Sequence, residues 1–289
     1  MRSRKWPGFC PLGLRRSGMI EVEPPSTQNA LDRVVNVLDR RENIPILDSL
    51  VEAVRGEEGG LKISSAAIVL DANVFLRIPS HKKSSDIIDY LVGVHKKPIV
   101  VPGQVIQEFW NNQLSAIDTV YKTVAKKHGE ISKEVDKFGR LGIIGVDVIS
   151  EALDSFKASN EHIFEPELTS RTLSFLEKLV ECAIVPFAPR EPFVNISSNR
   201  KRAKTPPGFK DDGDGDFLVW VDLLWGLLGA QADGKTFDCV ILLSQDSKID
   251  WSRGHVAHPV LSAELKAVLG TSFAIWTLDK FAAAISDAN

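Results

Sequence analysis

Four acidic residues stand where apolar runs give way to turns or helices, which is where a carboxylate can do chemistry. Asp71 closes the run Ile68-Val69-Leu70 and is followed by Ala72 and Asn73. In open parallel sheets, ligands gather beyond the carboxyl ends of the strands. Glu108 follows Val100-Val101-Pro102 and falls about one and a half turns into a helix, among Val105, Phe109 and Trp110. A carboxylate in such company is costly unless it is paired or bound to metal. Asp216 lies in Gly213-Asp214-Gly215-Asp216-Phe217, at the entry to an apolar helix that runs to about Leu228, where the helix dipole favours negative charge. Asp246 follows the apolar run ending at Leu242-Leu243-Ser244. Each has a plain alternative: Asp71 and Asp216 serve equally as helix caps, and Glu108 as a solvated flank. Several acids at strand ends and helix entries of one sheet are harder to explain by capping. Clustered carboxylates repel one another, and a hard divalent cation relieves that repulsion. The natural occupants are Mg²⁺ or Mn²⁺, and such a site suits in-line attack of water on a phosphodiester.

The elements that must position these acids are legible from the apolar patterning. Ala66–Leu70, Ile99–Val101, Cys239–Ser244 and Phe273–Trp276 read as buried strands, with a weaker fifth near Ala183–Phe187. Amphipathic stretches alternate with them, the pattern of a parallel α/β sheet flanked by helices. A long helical insertion spans about 113–183, too long for an ordinary crossover, and carries Leu114, Ile117, Val120, Tyr121, Leu173, Leu176 and Leu179 at helical spacing. Ahead of the main domain, set at 66–285, a helical appendage is expected over 26–60. Its first helix is capped by Ser26 or Thr27 and carries Leu31, Val34, Val35 and Leu38; its second carries Ile46, Leu47, Leu50, Val51 and Val54. Residues 1–25, basic and broken by Pro and Gly, read as a disordered tail.

The 289 residues are enough to bury a sizeable core, and the formal net charge is −3. Nucleic-acid binding would therefore need local positive surface. The densest basic stretch of the main domain is Arg200, Lys201, Arg202, Lys204 and Lys210, inside a segment from Arg190 to Asp216 that reads as an exposed loop with a basic half and an acidic half. Lys204 and Lys210 are expected to face a phosphate backbone. The three cysteines show no zinc-site spacing, and no apolar run approaches a membrane span. A cytoplasmic setting is expected. Trp220, Trp225 and Trp276 read as core; Trp110 and Trp251 lie nearer the acids, with packing again the expected role.

The order of these segments resembles the PIN superfamily, from about Ala66 to Phe281. Within it, Pro206-Pro207-Gly208-Phe209-Lys210-Asp211, then Gly215-Asp216 with Trp220, then Asp246-Ser247-Lys248-Ile249-Asp250-Trp251 look like the motifs of one PIN-like branch. The resemblance implies a three-layer PIN-like fold and a metal-dependent endoribonuclease acting on single-stranded RNA. It implies Asp71, Glu108, Asp216 and Asp246 as catalytic metal ligands, with Asp250 as an accessory carboxylate. Asn73 and Ser244 become polar helpers, and Arg202, Lys204, Lys210 and Lys248 nucleic-acid contacts. Gln245 stands where the family often has a second acid, and Asp214 is the alternative to Asp216. A DNA or flap-type nuclease and a catalytically weak regulatory module are the rivals. A role as a toxin or defence effector, with an antitoxin or regulatory protein as partner, is implied by the resemblance alone.

Overall fold

The computed structural model describes residues 27–56, 61–75, 77–160, 168–245, 248–254 and 256–288. The basic tail, the Ser26 cap and Asp246 lie outside the described residues.

Five strands, β1 (Ala66–Leu70), β2 (Ile99–Val100), β3 (Ala183–Ile184), β4 (Cys239–Leu243) and β7 (Ser272–Trp276), form one parallel sheet. Its spatial order is β3-β2-β1-β4-β7. The chain winds outward from β1 through β2 to β3, then restarts at β4 on the other side of β1. The topological switch point therefore lies between the carboxyl ends of β1 and β4, where Leu70 pairs with Leu243, and a crevice is expected there. Every residue of β1 and β4 is buried. This is why both read as unbroken apolar runs: helices cover the two faces of a parallel sheet.

The helices fall into two packing groups. In one, α9 (Gly215–Ala232) packs against α1 (Thr27–Leu38), the start of α5 (Gly103–Arg140) and α10 (Pro259–Leu269), and α2 (Ile46–Arg55) lies along α10. In the other, α4 (Ser84–Asp89) meets α11 (Leu278–Ala288) and α7 (Leu168–Cys182) packs beside residues 78–80. Helix α9 is apolar almost all round because it is covered on several sides, with Trp220, Val221, Leu223, Leu224 and Leu227 fully buried. The appendage is tied firmly to this body. Val34, Val35, Val37 and Leu38 of α1 belong to the same core as the sheet, while α2 ends at Gly56 in the left-handed conformation (φ 67°) expected of a helix stop.

Among the described residues the insertion carries the 38-residue α5, then α6 (Val146–Ser159), which turns back against it, then α7. A small antiparallel pair, β5 (Ser252–Arg253) and β6 (Val256–Ala257), is too short to leave a pattern in the sequence. One expectation is corrected. Part of the supposed loop from Arg190 to Asp216 is helix α8 (Val194–Ala203). Ile196 and Arg200, one turn apart, face inward, and the buried Arg200 is held by buried Glu264 at 2.7 Å. The sequence hid this because the helix is short and polar on its outer face.

Candidate active site

At the switch point, Asp71 follows β1 and Ser244 follows β4. The Asp71 carboxylate accepts hydrogen bonds from the Ala72 N–H (2.7 Å), the Asn73 amide (2.7 Å) and the Ser244 hydroxyl (2.7 Å). Asn73 in turn accepts from the Gln245 N–H at 2.8 Å. Asn73 and Ser244 thus orient Asp71, and Asn73, in the short helix Ala72–Phe75, ties the segment after β4 to the one after β1.

Helix α5 brings in Glu108. Gln104, one turn earlier, donates to its Oε1 at 3.3 Å. Burial pushes the Glu108 carboxyl above its usual range; the Gln104 bond opposes this, and the charges of Asp71 and Asp211 add to the rise. Glu108 therefore senses acids from two other segments. Its other neighbour is the start of α9, where a Cβ on Gly215 would lie 2.6 Å from Glu108 Oε1. The glycine of the Gly-Asp pair is what lets the two acidic elements approach so closely.

Asp216 enters from the first turn of α9. The Trp251 indole N–H donates to Oδ2 at 3.0 Å and the Lys248 ammonium lies 3.1 Å from the same oxygen. The same ammonium sits 2.7 Å from Asp211. Burial pushes Asp216 up to about 6, outweighing both donors, whereas the bond from Lys248 holds Asp211 below its usual range. Asp214, the alternative in sequence, faces elsewhere. It pairs with Lys201 at 2.9 Å and accepts from Ser197 at 2.7 Å, and these partners lower its pKa.

The remaining candidates are placed less centrally. Asp250 is fully buried and accepts the Gly208 N–H at 3.0 Å, so it anchors the Pro206–Gly208 turn from behind. That turn contains the cis Pro206–Pro207 peptide. A Cβ on Gly208 would press to 3.2 Å on the Asp216 Cβ. Asp250 thus positions the floor of the site, and its depth sets it apart from an accessory ligand at the mouth. Arg202, Lys204 and Lys210 are exposed. Lys248, expected as a phosphate contact, is engaged by two carboxylates. Trp251 is buried with its ring edge-on to Trp220, 6.2 Å away, but Trp110, expected to pack, is 70% exposed.

Two further residues matter here, and local patterning does not mark their roles. Lys248 joins Asp211 to Asp216. Asp222 was not singled out: fully buried in α9, it accepts the N–H groups of Gln104 and Ala188, each at 2.9 Å, and a two-pronged bond from Arg190. It fastens the start of Glu108's helix to Asp216's helix. The only available signal was an Asp amid an apolar helix, Val221-Asp222-Leu223, which must be compensated to be buried.

Among the described residues, no group of three or more His, Cys, Asp or Glu side chains is poised to hold a metal ion. The donor set is nonetheless all carboxylate, the kind that hard divalent cations take. Burial is the first cause of the rise at Glu108, and the charges of Asp71 and Asp211 add a repulsion that such a cation would relieve.

Residues 67–165 match the family model described as a PIN-like domain. The matched segment holds β1 with Asp71, β2, the helix with Glu108, and the start of the helical insertion. Together with the parallel sheet, the match likens this part of the chain to a PIN-like domain, a kind of domain that is generally a nuclease. Neither a curated protein nor a solved structure gives a match. No helix among the described residues is long and apolar enough to cross a membrane.

Proposed function

We propose that the chain is a divalent-metal-dependent endoribonuclease that hydrolyses single-stranded RNA. The observation that carries this reading is the approach of Asp71 and Glu108, both inside the PIN-like segment, to the half-buried Asp216 near the sheet's switch point. Asp71, Glu108, Asp216 and Asp246 would hold one or two Mg²⁺ or Mn²⁺ ions. Such ions, when bound, activate water and stabilise the leaving oxygen of a phosphodiester. The protein's own groups do the rest. Asn73 and Ser244 fix the Asp71 carboxylate in one orientation, and Asp222 holds α5 and α9 in register so that Glu108 and Asp216 face one opening. Arg202, Lys204 and Lys210, exposed on the chain that leads to Asp211, are suited to phosphate oxygens of the backbone.

The test is cleavage of labelled single-stranded RNA and DNA of matched sequence with Mg²⁺, Mn²⁺ or EDTA. Wild type would be compared with Asp71→Asn and Asp216→Asn. Metal-dependent RNA cutting lost in both variants is expected. Cutting of DNA alone would reassign the substrate. Cutting that survives both substitutions would remove the acidic site from the reaction.

A further inference from the structure

An acidic mouth without an ion needs a counter-charge from the protein itself, and Lys248 occupies that position. Its ammonium lies 2.7 Å from Asp211 and 3.1 Å from Asp216, and its charge also lowers the cost of ionising Glu108. Asp216 Oδ2 is shared between Lys248 and the Trp251 indole, so the oxygen a metal would use is already occupied by donors. The Lys248 side chain is more than a third exposed, which leaves its flexible stem room to swing outward. Asp216 and Asp211, by contrast, sit in the first turn of a helix and at the end of an anchored turn, and cannot separate as easily.

We propose that Lys248 is the resident counter-cation of the acidic mouth, and that a divalent cation loads by displacing its ammonium from Asp216 and Asp211. The inference rests on the nuclease reading of this site. Displacement does two things at once: it frees carboxylate oxygens for the metal, and it releases a tethered positive charge at the opening. Lys248 is thus a positioning residue that keeps Asp216 and Asp211 together. The exchange is between a monovalent and a divalent partner for the same oxygens, so each weakens the other.

Two measurements on the full chain test this. Electron paramagnetic resonance counts bound Mn²⁺, and amine labelling read by mass spectrometry reports how free Lys248 is, with exposed Lys204 as internal reference. Labelling of Lys248 should rise about fivefold or more at saturating Mn²⁺, as expected when a roughly 1 kcal/mol ion pair is broken. In Asp216→Asn it should be raised without metal, and Lys248→Arg should load Mn²⁺ much as wild type does while Lys248→Met loads it more tightly. If wild type binds Mn²⁺ but Lys248 labelling stays level or falls, the displacement is overturned and the nuclease reading stands. If wild type binds no Mn²⁺, the metal-site reading itself fails.

Discussion

Helix α9 carries two aspartates fewer than two turns apart that live in opposite electrical surroundings. Asp222 is wholly buried and wholly compensated, with two backbone N–H groups and the Arg190 fork on its two oxygens. Asp216 is also largely buried, yet its donors do not offset the loss of water and its pKa climbs to about 6. The same contrast separates Glu264, clasped by Arg40, Arg200 and Trp220, from Glu108, which has one amide donor and acidic neighbours. Where the fold needs a buried charge it surrounds it with partners. At Glu108 and Asp216 burial outweighs the donors, which is the setting in which functional carboxylates are often found.

This comparison can be broken, most severely at Asp222. Replacing it by Ala leaves Arg190 and two N–H groups stranded, and such losses cost about 3–5 kcal/mol. A large drop in the thermal midpoint is expected, whereas a change of under about 1 kcal/mol would mean Asp222 is no fastening point. Next comes Asp71→Asn, which keeps the shape but removes a charge aimed at the mouth. RNA cleavage should fall on the order of a hundredfold or more, the scale for loss of one such electrostatic group, with the melting curve little changed.

Gly215→Ala sharpens the comparison more gently. The added methyl meets the flexible end of Glu108, so the chain folds but Glu108 is pushed aside, and cleavage should drop about tenfold. An unaltered rate would show that the close approach is incidental. The smallest effect is in the pH dependence of stability. Asp216 has its pKa raised from 3.8 to about 6 on folding, so between those values the folded chain keeps a proton that the unfolded chain has released. Stability from this group is full below pH 3.8 and is lost as pH rises through about 6. Asp216→Asn should flatten that slope in denaturant titrations. Metal loading should follow the opposite course, strengthening through about pH 6 as the carboxylate ionises.

The parallel sheet was legible because its central strands are apolar on both faces and must be, whatever the loops do. All five sheet strands sit close to where apolar runs place them, and the weak β3 is the two-residue edge strand beside β2. Helices α5, α6 and α7 lie where helical periodicity runs over tens of residues, a pattern with few other causes. Helix α8 was not, because its identity depends on Arg200 finding Glu264 from a segment far along the chain. Polar residues next to glycine and proline read as a loop until a distant partner gives one of them a buried place.

For the site, local sequence was enough to mark strand ends carrying Asp71 and Ser244 and a helix entry carrying Asp216, because strand ends and helix starts announce themselves through neighbouring residues. It could not say that Asp214 turns to Lys201 while Asp216 turns inward, that Asp250 lies beneath a turn, or that Lys248 joins Asp211 to Asp216. Those outcomes depend on which segments meet, through contacts between residues 13 to 42 apart in sequence, a spacing at which local patterning carries no directional information. The sequence by itself determined the layered fold and the supply of carboxylates. The tertiary structure alone decided which of them are fully compensated and which stay destabilised by burial, because a carboxylate's state depends on the groups that surround it in space.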